Sequence, residues 1–481
     1  MNFSQPQEYI ITSTQPINLF LAGVGSGKTH LAGAISGYYI INFPQAWGFI
    51  GANTYKQLSD STMFRIREVW KELFGWIEGR DYVVGKIPPK SFNTESHNFE
   101  TYHGIVSFKD GAICFTGSLD NAKAHDGKEF AWAILDETKD SREDDVKEVI
   151  LTRLRKEGIY ITPDGALVNY VTEKSFCPLY ILTSPAKVQW INDWFQLDEW
   201  QEDILRSIYS ETEFYVKEWK DKCVIISSTY HNQHNLRQGY IQSVLDNNKP
   251  EAAKKLIYGN PFVRSGGEFY SGFDRMVHVQ KVEFIPGLPI HISFDQNVVP
   301  YVTGTLYQVL ELEGGKKQIR QFDEFCLENP NNKTAKICTE FIRKYGTRVQ
   351  GLYYYGDPSG KKSDTRGSEH DYNIVDRLLR KYLNNRSNRV PVKHPPVIKR
   401  KDFANNIFEG VYADIEFVID SKCKNSIADF EYLKEDMDGK KLKETAKDSM
   451  NRTYEKYGHT SDSFDYFITI ILKHKFDRFV K

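Results

Sequence analysis

The run Gly23-Val24-Gly25-Ser26-Gly27-Lys28-Thr29 has the residue types needed to hold a phosphate chain. Glycines such as Gly25 and Gly27 let backbone N–H groups approach phosphate oxygens without a side-chain clash. Lys28 adds a point charge for the β and γ phosphates, and Thr29 offers a hydroxyl to Mg²⁺. Strict spacing puts the first position of the G-x-x-x-x-G-K-[ST] pattern on Ala22, so Gly23 falls one place late. Further along, Asp136-Glu137 closes the apolar run 130–135. At a strand end Asp136 would hold Mg²⁺ through water, and Glu137 would polarise an attacking water. In the second half, Asp295 and Asp357 each end an apolar stretch, and "YGHTSDSFDYF" (457–467) sets His459, Asp462 and Asp465 among aromatics. A buried unpaired carboxylate is costly, so acids in such surroundings need partners. Converging Asp residues suit two hard cations, Mg²⁺ or Mn²⁺, which together activate a water and stabilise the leaving oxygen of a phosphodiester.

These side chains need strands and helices to position them. Ile17–Ala22 reads as a strand and "HLAGAISGYYI" from His30 as a helix, which is the context a phosphate loop requires. The competing reading is a glycine-rich turn. A further strand, "LYILTSPA" (179–186), ends in Thr183-Ser184, either a γ-phosphate sensor or a turn before Pro185. Arg153 and Arg155 follow the acid pair; either is a candidate arginine finger, in cis or toward a neighbouring subunit, against a solvated helix. Gln7 lies ahead of the first strand, where it could read an adenine edge or belong to a polar tail.

After 264–276, a stretch rich in turn residues, the pattern becomes strand, strand, strand, helix, strand, with Asp295, Glu324 and Asp357 at or near strand ends. The final helix begins near His459. Asp462 sits in its first turn, where a carboxylate also favours the helix N-terminus, and His459 lies three residues earlier on the same face as a further ligand or a proton carrier. Glu324 could supplement a metal site, and Asp465 is a weaker candidate.

Hydrophobic residues form 40% of the 481 residues, enough for two or three folded domains. No apolar run reaches the roughly 18 residues of a membrane span, so no membrane association is expected, and the N-terminus lacks a signal-peptide pattern. The six cysteines contain no CxxC pair, so reduced thiols are expected and a zinc site is not. Lys plus Arg is 63 against 64 for Asp plus Glu, so net charge gives no pointer to nucleic acid. From 377 to 401, however, nine Lys or Arg occur with no acid: a solvated loop or a phosphate-contacting strip.

Taken together, "LAGVGSGKT", "AWAILDE", "LTRLR", "ILTSPA", "ISFDQN", "YYGDPSG" and "GHTSDSFDYF" resemble the large terminase subunit of tailed bacteriophages over nearly the whole chain. The last stretch is similar to the family's D-H-x-x-D-A-x-R-Y, with Gly458 in place of the first Asp and Asp465 in place of the Arg. Many members carry an Arg inside the phosphate loop where this chain has Val24, which raises Arg153 and Arg155 as the finger. The resemblance implies an α/β protein: a P-loop NTPase domain (1–200, parallel sheet with flanking helices), a helical lid or linker (201–262) and a ribonuclease H-like nuclease domain (263–481). It implies ATP with Mg²⁺, Mn²⁺ substituting at the nuclease site, ATP-driven packaging of double-stranded DNA into the procapsid, and cutting of concatemeric DNA. The implied partners are the portal protein, a small terminase subunit and a ring of identical subunits, a pentamer by the resemblance. The setting is the host cytoplasm rather than the mature virion. A helicase-like ATPase-nuclease of repair or defence is the alternative; it needs a second motor domain or strand-separating motifs, and neither is found.

Overall fold

Short runs of β-branched and aromatic residues, buried on both faces, build the centre of the first half. Ile17–Ala22, Trp132–Asp136 and Leu179–Thr183 are buried almost throughout, the pattern of interior strands in a parallel sheet. The computed structural model describes residues 2–480 apart from 44–45, 96, 157–158, 162–166, 170–176, 187, 264–265, 298, 362–369 and 448–451. It forms two compact units, Met1–Ser265 and Gly266–Lys481.

In the first unit, nine strands run in the order 215–218, 222–227, 17–22, 179–183, 132–136, 48–52, 113–118, 105–108, 82–84. The six from 222–227 to 113–118 are parallel, and antiparallel strands close both edges. The loop strand and the acid strand are thus separated by one strand, with both C-terminal ends on the same edge of the sheet. That edge is where ligands bind in open α/β sheets. The helix Lys28–Asn42 buries Leu31, Ile35, Tyr39 and Ile40 against one face.

The segment 201–262, expected to be a helical lid, differs. It does contain the helices Gln201–Tyr209, Tyr240–Asp246 and Pro250–Leu256, but Tyr215–Glu218 and Lys222–Ser227 are strands of the main sheet, the second beside the loop strand. "KCVIIS" carries the same buried, β-branched signal as the other interior strands.

The second unit is built on a seven-stranded sheet. In chain order, Ile290–Asp295, Tyr301–Glu311, Lys317–Glu328, Leu352–Gly356 and Leu383–Asn388 lie spatially as 3-2-1-4-5. Strands one to three pair antiparallel; one, four and five pair parallel. This is the ribonuclease H-like arrangement. Ile415–Asp420 and Val279–Gln280 extend the sheet beyond strand three. The helix His459–Ile471 packs on the central strand. Phe467 stacks on Tyr307 with ring centroids 4.0 Å apart, and Phe464 lies among Phe408, Phe417 and Phe430. Among the described residues, no helix is long and apolar enough to cross a membrane.

Candidate functional site

In the first unit, residues 23–27 turn between strand and helix with Gly25 at φ +73° and Gly27 at φ +77°. These left-handed values favour glycine, and a Cβ on Gly27 would sit 2.5 Å from the Gln7 amide. Lys28 Nζ donates to Ala22 O (3.0 Å) and Gly23 O (3.2 Å) and lies 3.7 Å from Glu137 Oε1. Burial lowers the Lys28 ammonium against the attraction of Glu137 and Asp136.

Asp136 is buried, and its Oδ2 accepts the hydroxyls of Thr29 (3.2 Å) and Thr62 (2.8 Å). Burial pushes its carboxyl up to about 6, although both hydroxyls oppose this. Among the described residues, its buried Oδ1 has no hydrogen-bond partner, nor has Ser26 Oγ. An orphaned carboxylate oxygen beside a threonine hydroxyl is a fitting donor set for Mg²⁺. Glu137, at φ +54°, is gripped by Ser184, whose Oγ donates to Oε1 (2.5 Å) and whose N–H donates to Oε2 (3.1 Å). Of the pair Thr183-Ser184, it is therefore Ser184 that meets Glu137. Thr183 Oγ1 instead accepts the N–H of Lys139 (3.1 Å). A cavity of about 420 Å³ lies over this constellation, with Lys28, Thr29, Glu137 and Ser184 on its wall.

Three expectations change here. Gln7 lines the cavity, but both ends of its amide are engaged: Nε2 donates to Ser26 O (3.1 Å) and Oε1 accepts Ser4 N–H (2.8 Å). It braces the phosphate loop instead of offering a free edge to adenine. Arg153 is tied to Asp126 (2.8 Å) and Arg155 to Glu129 (2.9 Å), and neither lines the cavity, so neither reaches the site of its own chain as arranged; action toward a neighbouring subunit stays an expectation. The arginine on the cavity wall is Arg65, from the helix Met63–Phe74. Arg65, Thr62 and Asn232 carry no local motif, which is why their sequence did not single them out.

In the second unit, Asp295 ends the central strand. It is buried, and its Oδ2 lies 3.2 Å from His459 Nδ1 and accepts Asn297 Nδ2 at 3.2 Å. Burial disfavours charge on both partners. For His459 the Asp295 carboxylate outweighs it and holds the imidazolium up to about 9; burial raises Asp295 itself, and nearby Asp462 adds to the rise. A polar staple fixes the helix on this strand: Ser293 Oγ donates to Ser463 O and Ser463 Oγ to Ser293 O, both at 2.7 Å. Asp462 is thereby presented beside Asp295. Asp357 follows the fourth strand and accepts Tyr466 OH (3.3 Å), with His394 Nε2 3.6 Å away.

Asp462 does not cap its helix. That task falls to Asp429, whose carboxylate accepts Gly458 N–H (3.0 Å), Ser461 N–H (2.9 Å) and Thr460 Oγ1 (2.7 Å). Instead Asp462 Oδ1 meets Lys441 Nζ at 3.0 Å, and Lys441 also reaches Asp465 at 3.1 Å. Burial works to raise the Asp462 carboxyl, but the cations Lys441 and Arg400 together outweigh it and hold Asp462 below the usual carboxylate range. Asp465 is fully buried, accepts Tyr270 OH (2.8 Å) and belongs to the core. Glu324 is spent on the N-terminus of the helix Lys424–Tyr432, accepting from the N–H groups of Asn425 (2.8 Å) and Ser426 (3.0 Å), so it is not free to supplement a metal site. Within the basic run 377–401, Arg400 is buried beside the acids and Lys401 pairs with Glu435 (2.7 Å), so these two do not contribute to a phosphate-facing strip.

The carboxylate oxygens of Asp295, Asp357 and Asp462 are the right donor type for hard divalent cations. Among the described residues, however, no three acid, His or Cys side chains are grouped to hold one ion. As arranged, Asp295 faces His459 and Asp462 faces Lys441, so a bound cation requires those contacts to open.

The two units define a class: a P-loop ATPase, with phosphate loop, acid strand and an intervening strand followed directly by Ser184, in one chain with a ribonuclease H-like unit. Residues 19–275 match the family model described as terminase large subunit, T4likevirus-type, N-terminal. The chain belongs to the terminase large subunit family, the DNA-packaging ATPases of tailed phages. Similar solved structures include the large terminase of a thermophilic bacteriophage in complex with ADP (15% identity, 98% of this chain and 100% of that one, TM-score 0.38). They also include the HK97 bacteriophage large terminase (10%, 98% and 95%, 0.40) and the ATPase domain of the Thermus phage P74-26 large terminase (14%, 53% and 92%, 0.32). No curated protein matches.

Proposed function

We propose that this chain binds ATP with Mg²⁺ on the phosphate loop, uses its hydrolysis to drive double-stranded DNA into a procapsid, and cuts concatemeric DNA in its second unit. In the first unit, Lys28 and the loop N–H groups bind phosphate, Thr29 and Asp136 would hold Mg²⁺, and Glu137, oriented by Ser184, takes up a proton from the attacking water. Mg²⁺, when bound there, would supply neutralisation of charge developing on the phosphates. In the second unit, Asp295, Asp357 and Asp462 would hold divalent cations, whose chemistry there would be to activate water and stabilise a leaving oxygen. His459 holds a proton beside Asp295. The observation that carries the reading is the grip of Ser184 on Glu137, directly across from Lys28: a base aimed at a phosphate-binding lysine.

The partners that follow are the portal protein, a small terminase subunit and a ring of five identical subunits, working in the host cytoplasm and absent from the mature virion. The test is protection of DNA from DNase when the protein, ATP and procapsids are mixed. Protected DNA with wild type and none with Glu137→Gln supports the motor; equal protection contradicts it. Cutting of closed duplex circles without a free end separates this reading from a repair or defence helicase-nuclease, which would require an end or a single strand.

A further inference from the structure

The phosphate loop is held from outside by side chains of two distant segments. Thr229 Oγ1 donates to Val24 O (2.7 Å), Asn232 Nδ2 to Gly25 O (2.7 Å) and Gln7 Nε2 to Ser26 O (3.1 Å). Three consecutive loop carbonyls are therefore each claimed by a side-chain donor. In a trans peptide the C=O and the following N–H point in opposite directions. Pinning the carbonyls of Val24 and Ser26 turns the N–H groups of Gly25 and Gly27 to the other side of the loop, while Ser26 N–H donates to Gly23 O (3.4 Å) and closes the turn. With Gly25 and Gly27 in the left-handed region, their N–H groups line the concavity that suits an anion.

The donors are themselves oriented. Asn232 Oδ1 accepts Asn235 Nδ2 (2.9 Å), and Gln7 Oε1 accepts Ser4 N–H (2.8 Å), so each amide presents its nitrogen to the loop. Asn232 is buried and Thr229 has no exposed surface. Their segment, Thr229–Asn235, directly follows the strand Lys222–Ser227, which runs parallel to Ile17–Ala22 with Ser227 level with Ala22. The register delivers the donors beside the loop. The loop backbone is tied to this side as well, Val24 N–H donating to Leu256 O (2.7 Å) and Gly23 N–H to Ser227 O (3.1 Å).

We infer that Thr229, Asn232 and Gln7 are positioning residues that pre-form the phosphate cradle and so set nucleotide affinity, leaving the hydrolytic step to Glu137. The inference rests on the nucleotide site proposed above. A loop not held in this way must order its N–H groups at the expense of binding, which weakens affinity without changing the chemistry of the bound state.

The test compares full-length wild type with Thr229→Val, Thr229→Ser and Asn232→Ala. The readouts are binding of a fluorescent N-methylanthraniloyl ADP and steady-state ATP hydrolysis. Thr229→Val and Asn232→Ala should each weaken binding and raise KM by about tenfold, the factor of one net hydrogen bond, with kcat within about twofold. Thr229→Ser, which keeps the hydroxyl, should restore affinity. Unchanged affinity in the variants of a wild type that binds, a loss confined to kcat, or Thr229→Ser as weak as Thr229→Val would overturn the clamp alone. Folded wild type that binds no nucleotide would overturn the site and its clamp together.

Discussion

Replacing Lys441 by methionine should destabilise the second unit by about 3–5 kcal/mol, the usual cost of leaving a buried charge unpaired. Lys441 Nζ lies 3.0 Å from Asp462 Oδ1, 3.1 Å from Asp465 Oδ2 and 3.0 Å from Ser461 Oγ. At an effective dielectric near 20, each ion pair attracts by roughly 5 kcal/mol, and the desolvation of the ammonium and its repulsion by Arg400 take back a large part. Methionine keeps the stem beside Phe269 and Tyr270, whose rings lie 5.3 and 5.4 Å from the ammonium, so lost packing is a minor contribution. One guanidinium, Arg400, at 3.8 and 3.9 Å, would then face two carboxylates. The assay is urea denaturation of the full chain at pH 7, followed by hydrogen exchange in the helix His459–Ile471 so that the second unit is read by itself. Adding Asp465→Asn removes one charge of each sign and keeps an acceptor for Tyr270, so the double variant should recover at least about 2 kcal/mol of the loss. A single variant that loses under about 1 kcal/mol, or a double variant no better than the single, refutes this account. Lys441→Met also frees Asp462 Oδ1, so calorimetric Mn²⁺ affinity should rise.

Three further outcomes follow from the sites. Thr62→Val removes a hydroxyl that stabilises the charged form of Asp136, so the acid limb of ATPase kcat/KM, set near the Asp136 value of about 6, should move up by as much as about one pH unit; an unmoved limb contradicts the role. Ser184→Ala releases Glu137 Oε1 and should lower kcat by about 10- to 100-fold with little change in KM, measured by steady-state phosphate release. Burial pushes His291 down to about 3, so its neutral form stabilises the fold fully above about 6.5. This stability is lost as pH falls toward 3, at about 1.4 kcal/mol per unit; His291→Phe should flatten the pH dependence of urea stability between 6.5 and 4, and parallel slopes would contradict it.

The sequence was most legible where chemistry demands contiguous residues. The phosphate loop, the acid pair and the strand-end aspartates all stand where their local patterns put them, because glycines and apolar runs dictate backbone and strand directly. Legibility failed where the partner comes from far along the chain. Asp429 took the capping role open to Asp462, and Lys441 and Arg400 neutralised acids that had looked like free ligands; nothing near 462 announces them. Glu324 could be read as a ligand because it sits near a strand end, yet the helix starting at Lys424 consumes it. The strand Lys222–Ser227 was hidden within a segment otherwise helical and aromatic. Arg153 and Arg155 were placed by distance from the acid pair, whereas the cavity wall draws Arg65 from a different helix.

The most direct measurement is cleavage of supercoiled plasmid with Mg²⁺ or Mn²⁺, run beside ATP hydrolysis, for wild type, Asp295→Ala and Lys28→Ala. Two separate active sites predict that Asp295→Ala stops cutting while hydrolysing ATP, and that Lys28→Ala loses ATP hydrolysis while retaining metal-dependent cutting at least in part. Wild type that cuts with neither metal, or Asp295→Ala that cuts as wild type does, would contradict the account.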